Sequence, residues 1–419
     1  MKVASVIFYL ISGLGLCIKR NFGNLLKETN YKINRENAVL LILCRERDLP
    51  SLLRTLSQIE NRFNSKYNYP YVFLNNGNFS VSFKSSVRSA INPQSSVKFG
   101  FIDPFSPAWS YPPYVNTTIA SYSRERMRLQ RVQYGHNEQY HFMCRYFSGY
   151  FYDHPLVLKY EYFWRIEPHV EFLCNIDIDP FKILRRRQKI YGYVLMHREI
   201  MATIPSLWNA TSEFMSLYAS TFTFRSKLMD YFLGFLDRSY NGCHFWSNFE
   251  IASFTFFRSK EYRAYFQFLD EKGGFFYERW GDAPVHSLAL AMFLRPRQVI
   301  QFDDIAYRHG HLEYCPVKLY VGVGGDKNCT CRPNIASQLS LTACKILSSV
   351  APPEWLYQKW TGVLSTWELR PAKLLKHLNR CFNWMVFQVV ASLLSDFGLV
   401  NGGEKWPRKF PSQLKCDEN

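Results

Sequence analysis

Carboxylates gather where an apolar strand should end. From Tyr162 the chain reads Tyr-Phe-Trp-Arg-Ile-Glu167-Pro-His-Val-Glu171-Phe-Leu-Cys-Asn-Ile-Asp177-Ile-Asp179-Pro180. Hard divalent cations take oxygen ligands, and diphosphate-bearing substrates bind through such cations. The stretch is therefore a candidate site for a nucleotide-sugar held through a metal. Spacing alone points to the pair Asp177 and Asp179, which alternation along a strand would turn the same way. The plainer reading is a buried strand with a solvated acidic rim.

Such a site needs strands to hold it. Ala38–Cys44 is an unbroken apolar run and reads as a buried strand, followed by a loop over Arg45–Pro50. Over Ser51–Phe63, Leu52, Leu53, Leu56, Ile59 and Phe63 recur at helical spacing, and Tyr71–Leu74 is the next strand. Strand, helix, strand makes a βαβ unit and an α/β fold. Ligands of open α/β sheets bind beyond the carboxyl ends of the strands. Arg45 stands there, placed to meet a phosphate or to act as a solvated loop cation.

Farther on, residues 92–118 read as a long loop and Ser123–Gln133 as a basic helix. Tyr140–Tyr152 leads into the acid-ended strand. Cys243–Ala252 reads as a loop entering a helix, and Tyr262–Leu269 as a helix. Gly273–His286 reads as a loop carrying Trp280-Gly-Asp282-Ala-Pro, and Val285–Phe293 as a helix. Beyond about residue 334 the character changes. There Trp384–Val400 is interrupted by Ser and Asp396 and fits an amphipathic helix better than a membrane span.

With 419 residues, 47% of them hydrophobic, the chain can bury a large core, and general disorder is excluded. A net charge of +17 suits acidic or phosphorylated partners. The densest basic run is only Arg185-Arg186-Arg187-Gln-Lys189, and no nucleic-acid-binding motif accompanies it, so no nucleic acid is expected as a partner. The apolar run Val3–Ile18 between Lys2 and Lys19-Arg20 fits a signal segment or short anchor. Four N-glycosylation sequons, at Asn78, Asn116, Asn209 and Asn328, and eleven cysteines favour a lumenal chain. Cys329-Thr-Cys331 reads as a disulfide staple, not a metal site.

Eight ordered motifs between about residues 35 and 333 resemble the fungal Golgi α-1,2-mannosyltransferases of glycosyltransferase family fifteen. They are Arg35-Glu-Asn-Ala38, Asn61-Arg-Phe-Asn64 with Tyr69–Asn75, Met143-Cys-Arg145 with Ser148-Gly149, Trp164-Arg-Ile-Glu167-Pro168, Asp177-Ile-Asp179, Phe245-Trp-Ser-Asn-Phe-Glu250-Ile-Ala, Trp280–His286, and Tyr307-Arg-His309. The resemblance implies a GT-A-like α/β fold with a central mixed sheet flanked by helices. It implies GDP-mannose as donor, a divalent metal, usually manganese, and transfer with retention to mannose-terminated glycoprotein or glycolipid acceptors. A type II Golgi membrane protein is implied as well. The corresponding layout is an anchor over 1–20, a stem over 21–34, a catalytic domain over 35–333 and a divergent extension over 334–419.

Carried over by residue, the resemblance makes Glu167 and His309 the metal ligands, so that the ligand moves upstream from the Asp177/Asp179 pair. Glu250 matches a proposed nucleophile, with acceptor binding or charge stabilisation as its other roles, and Asp282 an acceptor base or hydroxyl ligand. Tyr140 matches a tyrosine near the donor phosphate. Arg45, Arg145 and Arg165 are candidates to hold phosphate or sugar, with ion pairing as the other role of Arg145 and Arg165, and His286 a residue orienting Asp282. The sequence departs from the family pattern at Cys44, His169 and Asn175. Within the family, transfer of mannosylphosphate is the alternative activity, and a non-catalytic glycan-binding homologue the alternative of another class.

Overall fold

The computed structural model describes residues 35–224, 226–234, 238–316, 328–331 and 344. The apolar run Val3–Ile18, the stem, and all of 334–419 except Cys344 lie outside the described residues. Among those described, no helix is long and apolar enough to cross a membrane.

A seven-stranded sheet organises the chain. In chain order its strands are β1 (Ala38–Leu43), β2 (Tyr71–Asn75), β3 (Val97–Phe101), β4 (Tyr162–Ile166), β6 (Tyr191–Tyr193), β9 (Phe249–Ser253) and β10 (Val299–Gln301). Their order across the sheet is β10-β6-β9-β4-β1-β2-β3. β1, β2, β3 and β4 run parallel, as do β6 and β10, and β9 runs antiparallel to both β4 and β6. A three-stranded antiparallel sheet is formed by β5 (Val170–Phe172), β11 (Tyr307–His309) and β12 (Leu312–Tyr314), and β7 (Met196–Arg198) pairs with β8 (Cys243–Phe245).

Both faces of the sheet's centre are buried, which is why β1 and β2 read as continuous apolar runs. Val39, Leu41, Phe163 and Ala252 point into one core, and Leu40, Ile42, Trp164 and Ile251 into the other. On the second side lie α1 (Leu49–Ile59), α2 (Val81–Ser89) and α5 (Pro180–Arg186). The first core takes apolar residues from α3 (Thr117–Leu129), α4 (Glu138–Gly149), α6 (Leu207–Leu217), α7 (Lys260–Glu271) and α8 (Asp282–Phe293). Helix α8 is buried over ten of its twelve residues, as a helix apolar nearly all round must be.

Several expectations are corrected. Within the segment 92–118 lies β3, and the basic helix begins at Thr117, because Asn116 caps it by accepting from the Ile119 N–H. The run from Tyr140 is the helix α4. Cys243–Ala252 forms two strands, so Glu250 stands on β9 and not at a helix start. Asp282 opens α8 instead of lying in a loop. The acid-ended strand stops at Ile166 and turns through Glu167–His169, with His169 at φ +73°, where glycine is the easier residue.

Asp177 and Asp179 do not share a strand face. Asp177 is exposed, whereas Asp179 caps α5 ahead of Pro180, accepting from the Phe181 and Lys182 N–H groups and from the Tyr69 hydroxyl. Cys329 and Cys331 staple to different partners, Cys174 and Cys315, and a third disulfide joins Cys243 to Cys344.

Candidate active site

Parallel strands end together, so β1 and β4 deliver Arg45 and Glu167 to one edge of the sheet. β9 runs the other way, and its leading residues Trp246, Ser247 and Asn248 arrive at that same edge. β11 pairs with β5 in the register His309↔Val170, which sets His309 opposite the turn that follows Glu167.

Arg165 is the hub. Its side chain is 3% exposed. One guanidinium nitrogen donates to Glu167 and the other to Asp282, and the group lies 3.6 Å from the Phe147 ring centroid. Burial alone would weaken its charge, but Asp282, Glu167 and Glu250 more than offset that and raise its pKa. The expectation that Arg165 holds phosphate therefore gives way to a bridge between two acids.

Burial also works against the Asp282 carboxylate. Arg165, His286 and the Ser247 hydroxyl, which donates to Oδ2 at 2.7 Å, overcome it and hold the group below its usual range. Its place in the first turn of α8 adds the favourable end of the helix dipole. Asp282 is thus a buried, ionised carboxylate at the strand-end edge.

Glu250 is cross-strand partner to Arg165 and has no exposed surface. Its Oε1 meets His286 Nδ1 at 2.8 Å, and His286 Nε2 meets the Phe147 carbonyl at 2.8 Å. The Phe147 carbonyl only accepts, so Nε2 carries a proton, and a second proton lies in the Nδ1–Oε1 contact. A sealed carboxyl group paired with a histidine is not placed to attack a sugar, which corrects the nucleophile expectation. His286 bonds Glu250 directly and acts on Asp282 only through its charge.

This pair has a pH signature. Burial lowers the His286 pKa, but the charge and hydrogen bond of Glu250 raise it above the usual 6.5. The stability it contributes is complete below about 6.5 and is lost as pH rises through the raised value. Melting temperatures between pH 5 and 9 should fall on the alkaline side, and His286→Gln should flatten that limb. Equal alkaline slopes in wild type and variant would remove the assignment.

Glu167 gives one oxygen to Arg165, and its side chain stays 25% exposed. His309 has its pKa lowered by burial first, then by His169, Arg165 and His311, against the pull of Glu167. It is a neutral imidazole at neutral pH, the form that ligates. A carboxylate and an imidazole at a strand end suit a borderline cation such as manganese, with substrate and water oxygens as further ligands. Among the described residues no cluster of three or more acid, His or Cys groups offers a closed cage.

The remaining candidates divide. Tyr140 keeps its proton: burial raises its pKa and Asp282 and Glu167 add to the rise, while the Arg279 guanidinium, 5.5 Å from its ring, opposes it. Arg45 follows β1 with its side chain 48% exposed and only a loose 3.8 Å contact to Asp48, free to turn to a phosphate. Arg145 is corrected. Its five donors go to Asp270 (twice), Pro107 O, Ser110 O and Tyr150, so none remains for a substrate.

Sequence reasoning missed Ser247, Asn248 and Arg279. The first two sat inside the motif around Glu250. Arg279 precedes the Trp280–His286 motif and is tied to Glu199 at 3.1 Å.

The sequence model of the glycolipid 2-alpha-mannosyltransferase family matches residues 18–347. An O-glycoside alpha-1,2-mannosyltransferase homolog from Schizosaccharomyces pombe is 44% identical over 74% of this chain and 80% of its own. Core-mannan synthase A from Aspergillus fumigatus, solved in an Mn/GDP form, superposes with a TM-score of 0.67 at 36% identity, covering 72% of this chain and 80% of that one. The Saccharomyces cerevisiae mannosyltransferase Ktr4p in complex with GDP gives 0.67 at 35%, covering 76% and 83%. With these relatives and this GT-A-like sheet, the chain belongs to the fungal mannosyltransferases of glycosyltransferase family fifteen and is a glycosyltransferase.

Proposed function

We propose that the protein is a retaining α-1,2-mannosyltransferase that moves mannose from GDP-mannose to mannose residues of N- or O-linked glycans on glycoproteins. The observation that carries this reading is the Arg165 bridge, which holds Glu167 and an ionised Asp282 together beside His309 at the carboxyl ends of the strands. The Mn/GDP form of one relative and the GDP complex of another support the donor and the metal.

Glu167 and His309 would hold manganese, whose chemistry is to neutralise the diphosphate as GDP departs. Arg45 and the protonated Tyr140 add donors for the same phosphates. With Glu250 sealed, the arrangement favours a same-face route. The anomeric C1–O bond to phosphate breaks while the acceptor 2-hydroxyl oxygen bonds to C1 on the same face. The hydroxyl proton passes to Asp282 or to the leaving phosphate. Arg165, packed against the Phe147 ring, keeps Asp282 in place.

An apolar leader, four sequons and three disulfides support a type II Golgi membrane protein with a lumenal catalytic domain. The test of activity uses the purified chain with GDP-mannose, manganese and methyl α-mannoside, and Glu167→Ala beside it. A neutral α-1,2-linked disaccharide that disappears without metal and in the variant is the expected product. A phosphodiester product would instead assign mannosylphosphate transfer.

A further inference from the structure

The loop Trp246–Asn248 reaches both halves of the site. Ser247 holds Asp282, and the Asn248 side-chain amide meets His309 Nδ1 at 2.7 Å. Behind them the Tyr307 hydroxyl lies 3.0 Å from the Asn248 carbonyl and 3.0 Å from Asn248 Oδ1. All of this is packed away: Tyr307 is 1% exposed and Asn248 6%.

Proton counting decides the network. A tyrosine hydroxyl has one proton and cannot donate to two oxygens. Turning the amide over removes the conflict, and the choice of amide end follows from the network as a whole. Asn248 Nδ2 then donates to the Tyr307 oxygen, Tyr307 donates to the Asn248 carbonyl, and Asn248 Oδ1 accepts from His309 Nδ1–H. Each of the three contacts then has one donor and one acceptor, and only the second Nδ2 proton of Asn248 lies outside them. His309 Nε2 is left with a free lone pair, and no described residue bonds it. The Trp246 ring, 5.3 Å away, restricts the imidazole from the side.

We propose that Asn248 is the positioning residue that fixes His309 in its Nδ1–H tautomer and aims Nε2 at the cation, with Tyr307 locking the amide. This rests on the metal reading of Glu167 and His309. A partner on the second imidazole nitrogen is what sets ligand orientation and basicity.

The test titrates the full-length chain with manganese in the presence of GDP, following free metal by electron paramagnetic resonance, and needs no turnover. Glu167→Gln should abolish binding. Asn248→Leu should weaken it about ten- to hundredfold, while Asn248→Asp, which can only accept, should stay within about threefold of wild type. Pulsed spectra should keep the coupling to a bound imidazole nitrogen in wild type and Asn248→Asp. Melting curves check folding, and if Asn248→Leu does not fold, Asn248→Asp alone decides. An Asn248→Asp variant that folds but binds ten times more weakly, or an Asn248→Leu variant that binds like wild type, overturns the proposal. Loss of binding in Glu167→Gln with both Asn248 variants unmoved would leave the metal reading standing and remove only this inference. No binding by wild type removes both.

Discussion

Arg145→Ala should destabilise the fold by about 3–5 kcal/mol, the usual result of breaking a buried ion pair from one side. Arg145 and Asp270 meet at 2.6 Å with side chains only 1% and 4% exposed. Removing the guanidinium strands the Asp270 carboxylate, which would keep only the Tyr114 hydroxyl at 2.6 Å. It also frees the carbonyls of Pro107 and Ser110. Chemical-denaturation midpoints report the loss. Arg145→Met combined with Asp270→Leu should recover part of it, because no unpaired charge is then buried. A single variant that loses less than about 1 kcal/mol would place the pair with exposed salt bridges of little worth. The same experiment separates Arg145 from the chemistry: in the folded fraction, GDP binding should be unchanged.

Asp282→Asn is the second large effect, and it falls on rate. The amide keeps the size of the side chain and its contact with Ser247, but cannot take a proton. General-base loss costs typically about 10²–10⁴ in rate, and kcat should fall within that range while GDP affinity stays near wild type. Steady-state kinetics with GDP-mannose and methyl α-mannoside measure both. Activity within threefold of wild type would mean that Asp282 serves only as the anion that pins Arg165.

These two residues show what a chain of letters discloses. β1, α1 and β2 were legible because apolar runs and helical spacing are local signals. β9 was not: buried on both faces and only five residues long, it lacks the alternation that marks a half-exposed strand. Asp179-Pro180 carried a readable helix-start signal that the Asp177-Ile-Asp179 pattern obscured. Glu167 and His309 came from resemblance, since nothing in their local spacing brings them together across 142 positions. Arg145 lies 125 residues before Asp270, and charge pairing at that distance is written only in the fold. Asn248 looked like an ordinary loop residue until β11 placed His309 beside it.

The disulfide from Cys174 to Cys329 spans 155 residues. At a ribosomal pace of about 5–20 residues per second, Cys174 emerges about 8–31 s before its partner does. The strand carrying His309 is made late in that interval. During biosynthesis the Glu167 half of the site therefore waits as an unclosed thiol-bearing segment, open to mixed pairing with Cys243 or Cys315. A chain released before residue 329 would carry every candidate side chain of the site and lack the covalent closure around it. A free thiol at Cys174 would thus report, without contact, that the covalent closure beside the candidate site has not formed.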